Sequence, residues 1–82
     1  MSAAAENVEP LSSLQPGQRG RVVAIEVEDS KKGRILEMGL TVGVTIEVVR
    51  FAPLGDPMEL KVRGSHVSLR KVDASGVRVQ RI

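Results

Sequence analysis

The sequence predicts a mainly β fold: a small, partly closed barrel of five short strands with one inserted α-helix and short helical turns. Three observations carry this. Valine is the dominant apolar residue, and β-branched side chains suit a pleated, half-buried surface. Several runs alternate apolar with polar residues, most cleanly Met58-Glu59-Leu60-Lys61-Val62-Arg63, where Met58, Leu60 and Val62 share the inward face. Glycine and proline punctuate the chain between those runs. A chain of 82 residues has room for one domain with a small core. Since Phe51 is the only aromatic residue, that core must be aliphatic.

The elements follow in order. Met1 to Glu9 lacks the basic start and the apolar run of a secretory signal, so residues 1–9 are expected to be a disordered lead-in to a domain over residues 10–82. Pro10 to Leu14 reads as one helical turn with Leu11 and Leu14 on one face, and Gln15-Pro16-Gly17-Gln18 as a Pro-Gly turn. Arg19 to Val27 is the first strand, with Val23, Ile25 and Val27 on one face while Val22 and Ala24 partly cover the other. Asp29 to Gly39 is the main helix: Asp29 or Ser30 caps its start, and Gly39 suits the left-handed C-terminal position. Ile35, Leu36, Met38 and Leu40 supply its apolar side. Gly33 either weakens the first turn by roughly 1 kcal/mol or lets the helix approach a strand closely.

Val44 to Phe51 is the central strand, with Val44, Ile46 and Val48 on one face. Beyond the Met58–Arg63 strand, Gly64-Ser65 turns the chain and His66 to Arg70 returns with Val67 and Leu69 inward. Val72 to Gly76 reads as a one-turn helix. Val77 to Ile82 closes as the last strand, and pairing it with the first hides edges that would otherwise invite association.

The stretch Phe51 to Leu60 holds two prolines and a glycine between its strands. Each proline pushes the residue before it out of the helical region, so Ala52 and Asp56 are expected to be extended, with Gly55 free to take a positive φ. The result is a rigid, shaped connection. Leu54 in its middle either tucks beneath the loop or is held out for a partner. Apolar residues are buried more often than not, which favours the first.

No constellation for catalysis stands out. His66, the only histidine, faces solvent by alternation and has no evident partner, so it is an ordinary surface residue. Glu26, Glu28 and Asp29 cluster at a strand end, but such a cluster is usually a solvated loop, and Asp29 has a use as a helix cap. Gly17-Gln18-Arg19-Gly20 lacks the lysine and the helix of a phosphate-binding loop. Arg50, Lys61, Arg63, Arg70 and Lys71 surround the central strands without the aromatic platform of a single-strand nucleic-acid binder, and no nucleic-acid partner is expected. The formal charge is only +2. Without cysteine there are no disulfides or thiolate metal sites, and the cytoplasm is the expected compartment. No apolar run reaches the length of a membrane span, so direct membrane insertion is not expected.

Three segments, taken together, resemble the FeoA family, the small cytosolic proteins of bacterial ferrous iron transport. They are Leu14 to Gly20, Arg34 to Gly43, and Ala52 to Pro57 followed by Leu69-Arg70. The likeness spans about Leu11 to Ile82. It departs from the family pattern at Val42, where proline is common, and at Gly33-Arg34, where a basic pair is more usual. The resemblance implies an SH3-like barrel, similar to the C-terminal domain of DtxR-type iron-dependent repressors. With no catalytic constellation in the residues, neither enzyme activity nor a cofactor is expected. The resemblance also implies a partner, the transporter FeoB, met through its cytosolic GTP-binding domain or its membrane part.

On that resemblance the chain is an accessory protein that binds and regulates FeoB. Its contact residues would be Leu54, Gly55, Asp56 and Pro57 of the loop, with Met38 and Leu40 at the helix end. The alternative is a metal-responsive regulatory domain that takes a divalent transition metal directly, as family-level descriptions of transition-metal binding suggest; no ligand residue is assigned to it. Oligomeric state is left open.

Overall fold

The computed structural model describes residues 8–82; of the lead-in expected over residues 1–9, residues 1–7 lie outside them. Six antiparallel strands form one sheet in the order β1-β6-β2-β3-β4-β5. They are β1 (Val8–Pro10), β2 (Arg19–Ile25), β3 (Thr45–Phe51), β4 (Met58–Val62), β5 (Ser65–Leu69) and β6 (Val77–Arg81). Two helices interrupt them, α1 (Asp29–Glu37) and the one-turn α2 (Lys71–Ala74). A 3-10 turn (Leu11–Ser13) links β1 to the rest.

The additional strand is β1. Val8 and Glu9 pair with Gln80 and Val79 of β6, so they belong to the sheet and not to a disordered lead-in. Three residues are too few to announce a strand by alternation; the partner makes it one. As expected, β6 pairs with β2. Glu9 also accepts hydrogen bonds from the Arg81 guanidinium, at 2.7 Å from Nη2 and 3.1 Å from Nε, and one from the Ser13 hydroxyl at 2.7 Å. The Arg81 bonds, with help from Ser13, lower the Glu9 pKa below its ordinary value. A depressed carboxylate pKa adds stability above the unfolded-state value, and that stability is lost as pH falls through the lowered folded value. Acidification below the ordinary carboxylate range is therefore expected to loosen β1 first. Amide exchange of Val8 and Glu9 in a pH series checks this, and Arg81→Gln should remove most of the pH dependence, leaving the part owed to Ser13.

The strand faces follow the alternation, with two phase changes. In β4, Met58, Leu60 and Val62 are buried as the pattern predicts, opposite Leu69, Val67 and Ser65 of β5. In β3, Ile46 and Val48 are buried, and the register with β4 then shifts between Val48 and Arg50. Phe51 is thereby returned to the inner side, opposite Met58. A second shift, between Val22 and Ala24 of β2, corrects the expected facing of the first strand. Val22 points into the core and Val23 is left at the surface, while Ile25 and Val27 pack inward beyond the bulge. Such bulges bend strands, which lets a short sheet curl around a core. Leu11 and Leu14, both fully buried, join that core from the turn at its end.

Helix α1 begins after Glu28, whose carbonyl accepts from Lys31 N and Lys32 N; neither Asp29 nor Ser30 caps it through a side chain. Its C-terminus is a Schellman motif. Gly39, at φ +94°, donates to Leu36 O at 2.9 Å, and Leu40 N donates to Ile35 O at 3.3 Å. This ending turns Leu40 back toward Ile35, and both join the buried core. Leu36 is exposed and Met38 is half-buried against the core. Gly33 has no neighbour that an added Cβ would touch, so it does not serve a close helix–strand approach.

Candidate functional site

The loop between β3 and β4 is built by local geometry. Gly55 N donates to Ala52 O at 2.7 Å, closing a turn with Pro53 and Leu54 at its two centre positions and Gly55, at φ +90°, after them. Ala52 N donates to Pro57 O at 3.0 Å and closes the base. Asp56 fixes the flank: its Oδ1 accepts the Lys71 backbone N–H at 2.9 Å, docking the loop against the start of α2. The Lys71 ammonium then lies 4.2 Å from the centre of the Phe51 ring, a cation–π contact at the loop's root.

Leu54, at the apex, is 97% exposed. This overturns the expectation that it tucks under the loop: the centre position of a tight turn carries the side chain away from the chain that returns beneath it. Pro53 and Asp56 are also exposed, while Gly55 and Pro57 are half-buried. The helix-end candidates separate. Leu40 is 0% exposed, so it is a core residue and not a contact residue, for the Schellman reason above. Met38 keeps part of its surface. Of the six candidate contacts, the four loop residues stand together and the helix end contributes Met38 alone.

Two features escaped sequence reasoning. Asp73 of α2 is 4% exposed, with Lys31 Nζ 3.1 Å from Oδ1 and Arg34 Nη2 3.6 Å from Oδ2. The lysine contact is close but off the line of a hydrogen bond, so Oδ1 is ion-paired without a formal donor. This tie between α1 and α2 joins residues some forty positions apart, which no local pattern reveals. Beside it lies a crevice of about 230 Å³, lined by Glu26, Glu28, Lys31, Asp73 and Gly76 among others. That is smaller than the roughly 300–1,000 Å³ of most ligand pockets. Its carboxylates have protein partners: Glu26 accepts from Arg78 Nε at 3.0 Å, and Asp73 faces two cations. Among the described residues, no three His, Cys, Asp or Glu side chains converge as a metal would require. The Glu26, Glu28 and Asp29 cluster is no exception.

His66 is exposed on β5, opposite Lys61 of β4. On the same outer face, Arg50 Nη2 lies 2.9 Å from Glu59 Oε2 and holds that carboxyl below its ordinary range. Among the described residues, no helix is long and apolar enough to cross a membrane.

The fold and its presented loop define a small SH3-like barrel domain. The chain belongs to the FeoA domain family, whose model matches residues 9–81. It is 42% identical over 72 residues to a protein of Porphyromonas gingivalis described as an Fe(2+) transport protein A/Fe(2+) transporter FeoB fusion protein. That match covers 88% of this chain and spans only 8% of the fusion protein's length. A crystal structure described as the iron uptake regulatory protein FeoA superposes with a TM-score of 0.81 at 35% identity, covering 92% of this chain and 97% of that one. The solution structure of FeoA from Chlorobium tepidum gives 0.83 at 36% identity, covering 89% and 70%. A manganese-dependent transcriptional repressor shares the fold alone: TM-score 0.83 at 14% identity, over 92% of this chain and 41% of the repressor.

Proposed function

We propose that this domain is an accessory factor of bacterial ferrous iron transport that binds the cytosolic part of FeoB and tunes its activity. The loop at Leu54–Pro57 would be its contact surface. The observation that carries the reading is Leu54: an almost fully exposed leucine on a loop restrained at its apex, base and flank. A rigid apolar tip loses little conformational freedom on binding, and burying a leucine yields about 1.5–3 kcal/mol. The relative that joins FeoA and FeoB sequences in one polypeptide supports the choice of partner. Fusion raises the effective concentration of two domains toward millimolar, so even a weak contact would be occupied.

The test is a titration of the isotope-labelled protein with the cytosolic domain of FeoB, with and without a GTP analogue, read by amide shifts. Shifts centred on residues 52–58 are expected. Leu54→Ser should weaken the affinity by about tenfold or more while leaving the melting temperature nearly unchanged, because the side chain packs on little of its own protein. Unchanged affinity in that variant, or shifts elsewhere, would remove the loop from the contact.

A further inference from the structure

We propose that the outer edge of β5 is a docking edge for an extended acidic segment of a partner protein, which adds to the sheet as a further strand. This goes beyond the Leu54 contact and does not depend on it. The sheet has two edges, β1 and β5. Among the described residues the β1 edge is Val8–Pro10, and it ends at Pro10, which has no N–H to offer. The β5 edge differs. Its five residues, Ser-His-Val-Ser-Leu, contain no proline and no Lys, Arg, Asp or Glu, and its register with β4 runs without a bulge.

The hairpin turn decides which backbone groups face outward. Arg63 at φ 52° and Gly64 at φ 82° form a two-residue turn of the left-handed type, so Val62 and Ser65 close it as a hydrogen-bonded pair. Alternation then makes Leu60 with Val67, and Met58 with Leu69, hydrogen-bonded pairs as well. The N–H and C=O groups of His66 and Ser68 point away from β4. Among the described residues they have no backbone partner beyond it. An unpaired row of this kind is a template for strand addition.

Charge selects the occupant. Exposed Arg63 and Arg70 flank the two ends of β5, and Lys61 lies behind His66 on the outer face; none of the three is in an ion pair among the described residues. Of the carboxylates on that face, Glu59 is engaged by Arg50, and Glu47 stands one strand further from the edge, opposite Lys61 on one side and Arg19 on the other. Half-buried Val67 offers apolar surface on the opposite face of the edge. The complementary segment therefore alternates acidic and apolar residues. A second copy fits poorly: antiparallel pairing of two β5 strands would set the Arg63 end of one against the Arg70 end of the other, bringing like charges together.

The test uses the full chain, isotope-labelled, with a blocked seven-residue peptide of alternating glutamate and valine and its lysine–valine counterpart. The glutamate peptide is expected to shift the His66 and Ser68 amides and slow their hydrogen exchange, with binding that weakens as salt rises. The lysine peptide should bind about tenfold or more weakly. Ser68→Pro removes one outward N–H at a position where an edge strand tolerates proline, and should abolish binding with the fold intact. Should that variant fail to fold, Arg63→Glu with Arg70→Glu carries the test and must reverse the preference to the lysine peptide. Leu54→Ser should bind the peptide as the parent does, which keeps this result separate from that of the FeoB titration. The proposal fails if the glutamate peptide leaves the β5 amides unmoved or binds no better than the lysine peptide. Concentration-dependent protection of His66 and Ser68 in the protein alone would assign the edge to a second copy instead.

Discussion

Leu40→Ala is expected to lower stability by about 3 kcal/mol, which for a domain of this size moves the melting temperature by on the order of 15 °C. Leu40 has no exposed surface and sits where α1 ends, one residue past the left-handed Gly39. Truncation removes the transfer energy of its side chain and leaves a void between α1 and the sheet. The Schellman hydrogen bonds of Gly39 and Leu40 hold the backbone in place, so collapse into that void is limited. Against a net stability of roughly 4–12 kcal/mol for a domain of this length, that is a large share. Thermal melts and urea titrations check it, with Leu54→Ala as the contrast, expected to melt with the parent. A loss below about 1 kcal/mol for Leu40→Ala would mean that the site behaves as surface. That would restore Leu40 as a candidate contact.

The contrast between the two leucines shows where sequence reasoning stops. Both stand beside a glycine that takes a positive φ, and both lie outside regular strands. What separates them is the turn each belongs to. A Schellman ending folds the residue after its glycine back over the helix, while the centre of a tight turn directs its residue outward. The Pro-Gly punctuation identified the loop, yet burial depended on chain trace. Strand faces were legible wherever alternation was unbroken, as in β4, and slipped at Val23, where one extra residue reset the phase. Asp73 was illegible for another reason, since its cationic partners reach it from α1. The open edge of β5 became visible only with the strand order, because alternation along a strand says nothing about who lies beside it.

Glycines give the sharpest test of that distinction, because two of them are expected to respond with opposite sign. Gly33 is the one the sequence marks for close approach, yet an added Cβ there meets nothing within 4 Å. Gly76, just before β6, is the crowded one. Its Cβ would lie 2.6 Å from Glu26 O and 2.6 Å from Val27 Cγ1. Backbone cannot step aside as a side-chain tip does, so Gly76→Ala must push the β2–α1 connection outward. That movement strains the hydrogen bond from Glu26 N to Gly76 O, now 2.6 Å long, and lifts Val27 from its packing. Overpacking of this kind costs about 1–3 kcal/mol, and the lost hydrogen bond adds about 1 kcal/mol. Gly33→Ala, in an open helical position, should instead stabilise by up to about 1 kcal/mol. Melting curves of the two variants are therefore expected to move in opposite directions. A Gly76→Ala protein that melts with the parent would show that the β2–α1 connection yields at no cost, and that the tie between Glu26 and Gly76 does not hold this end of the barrel closed.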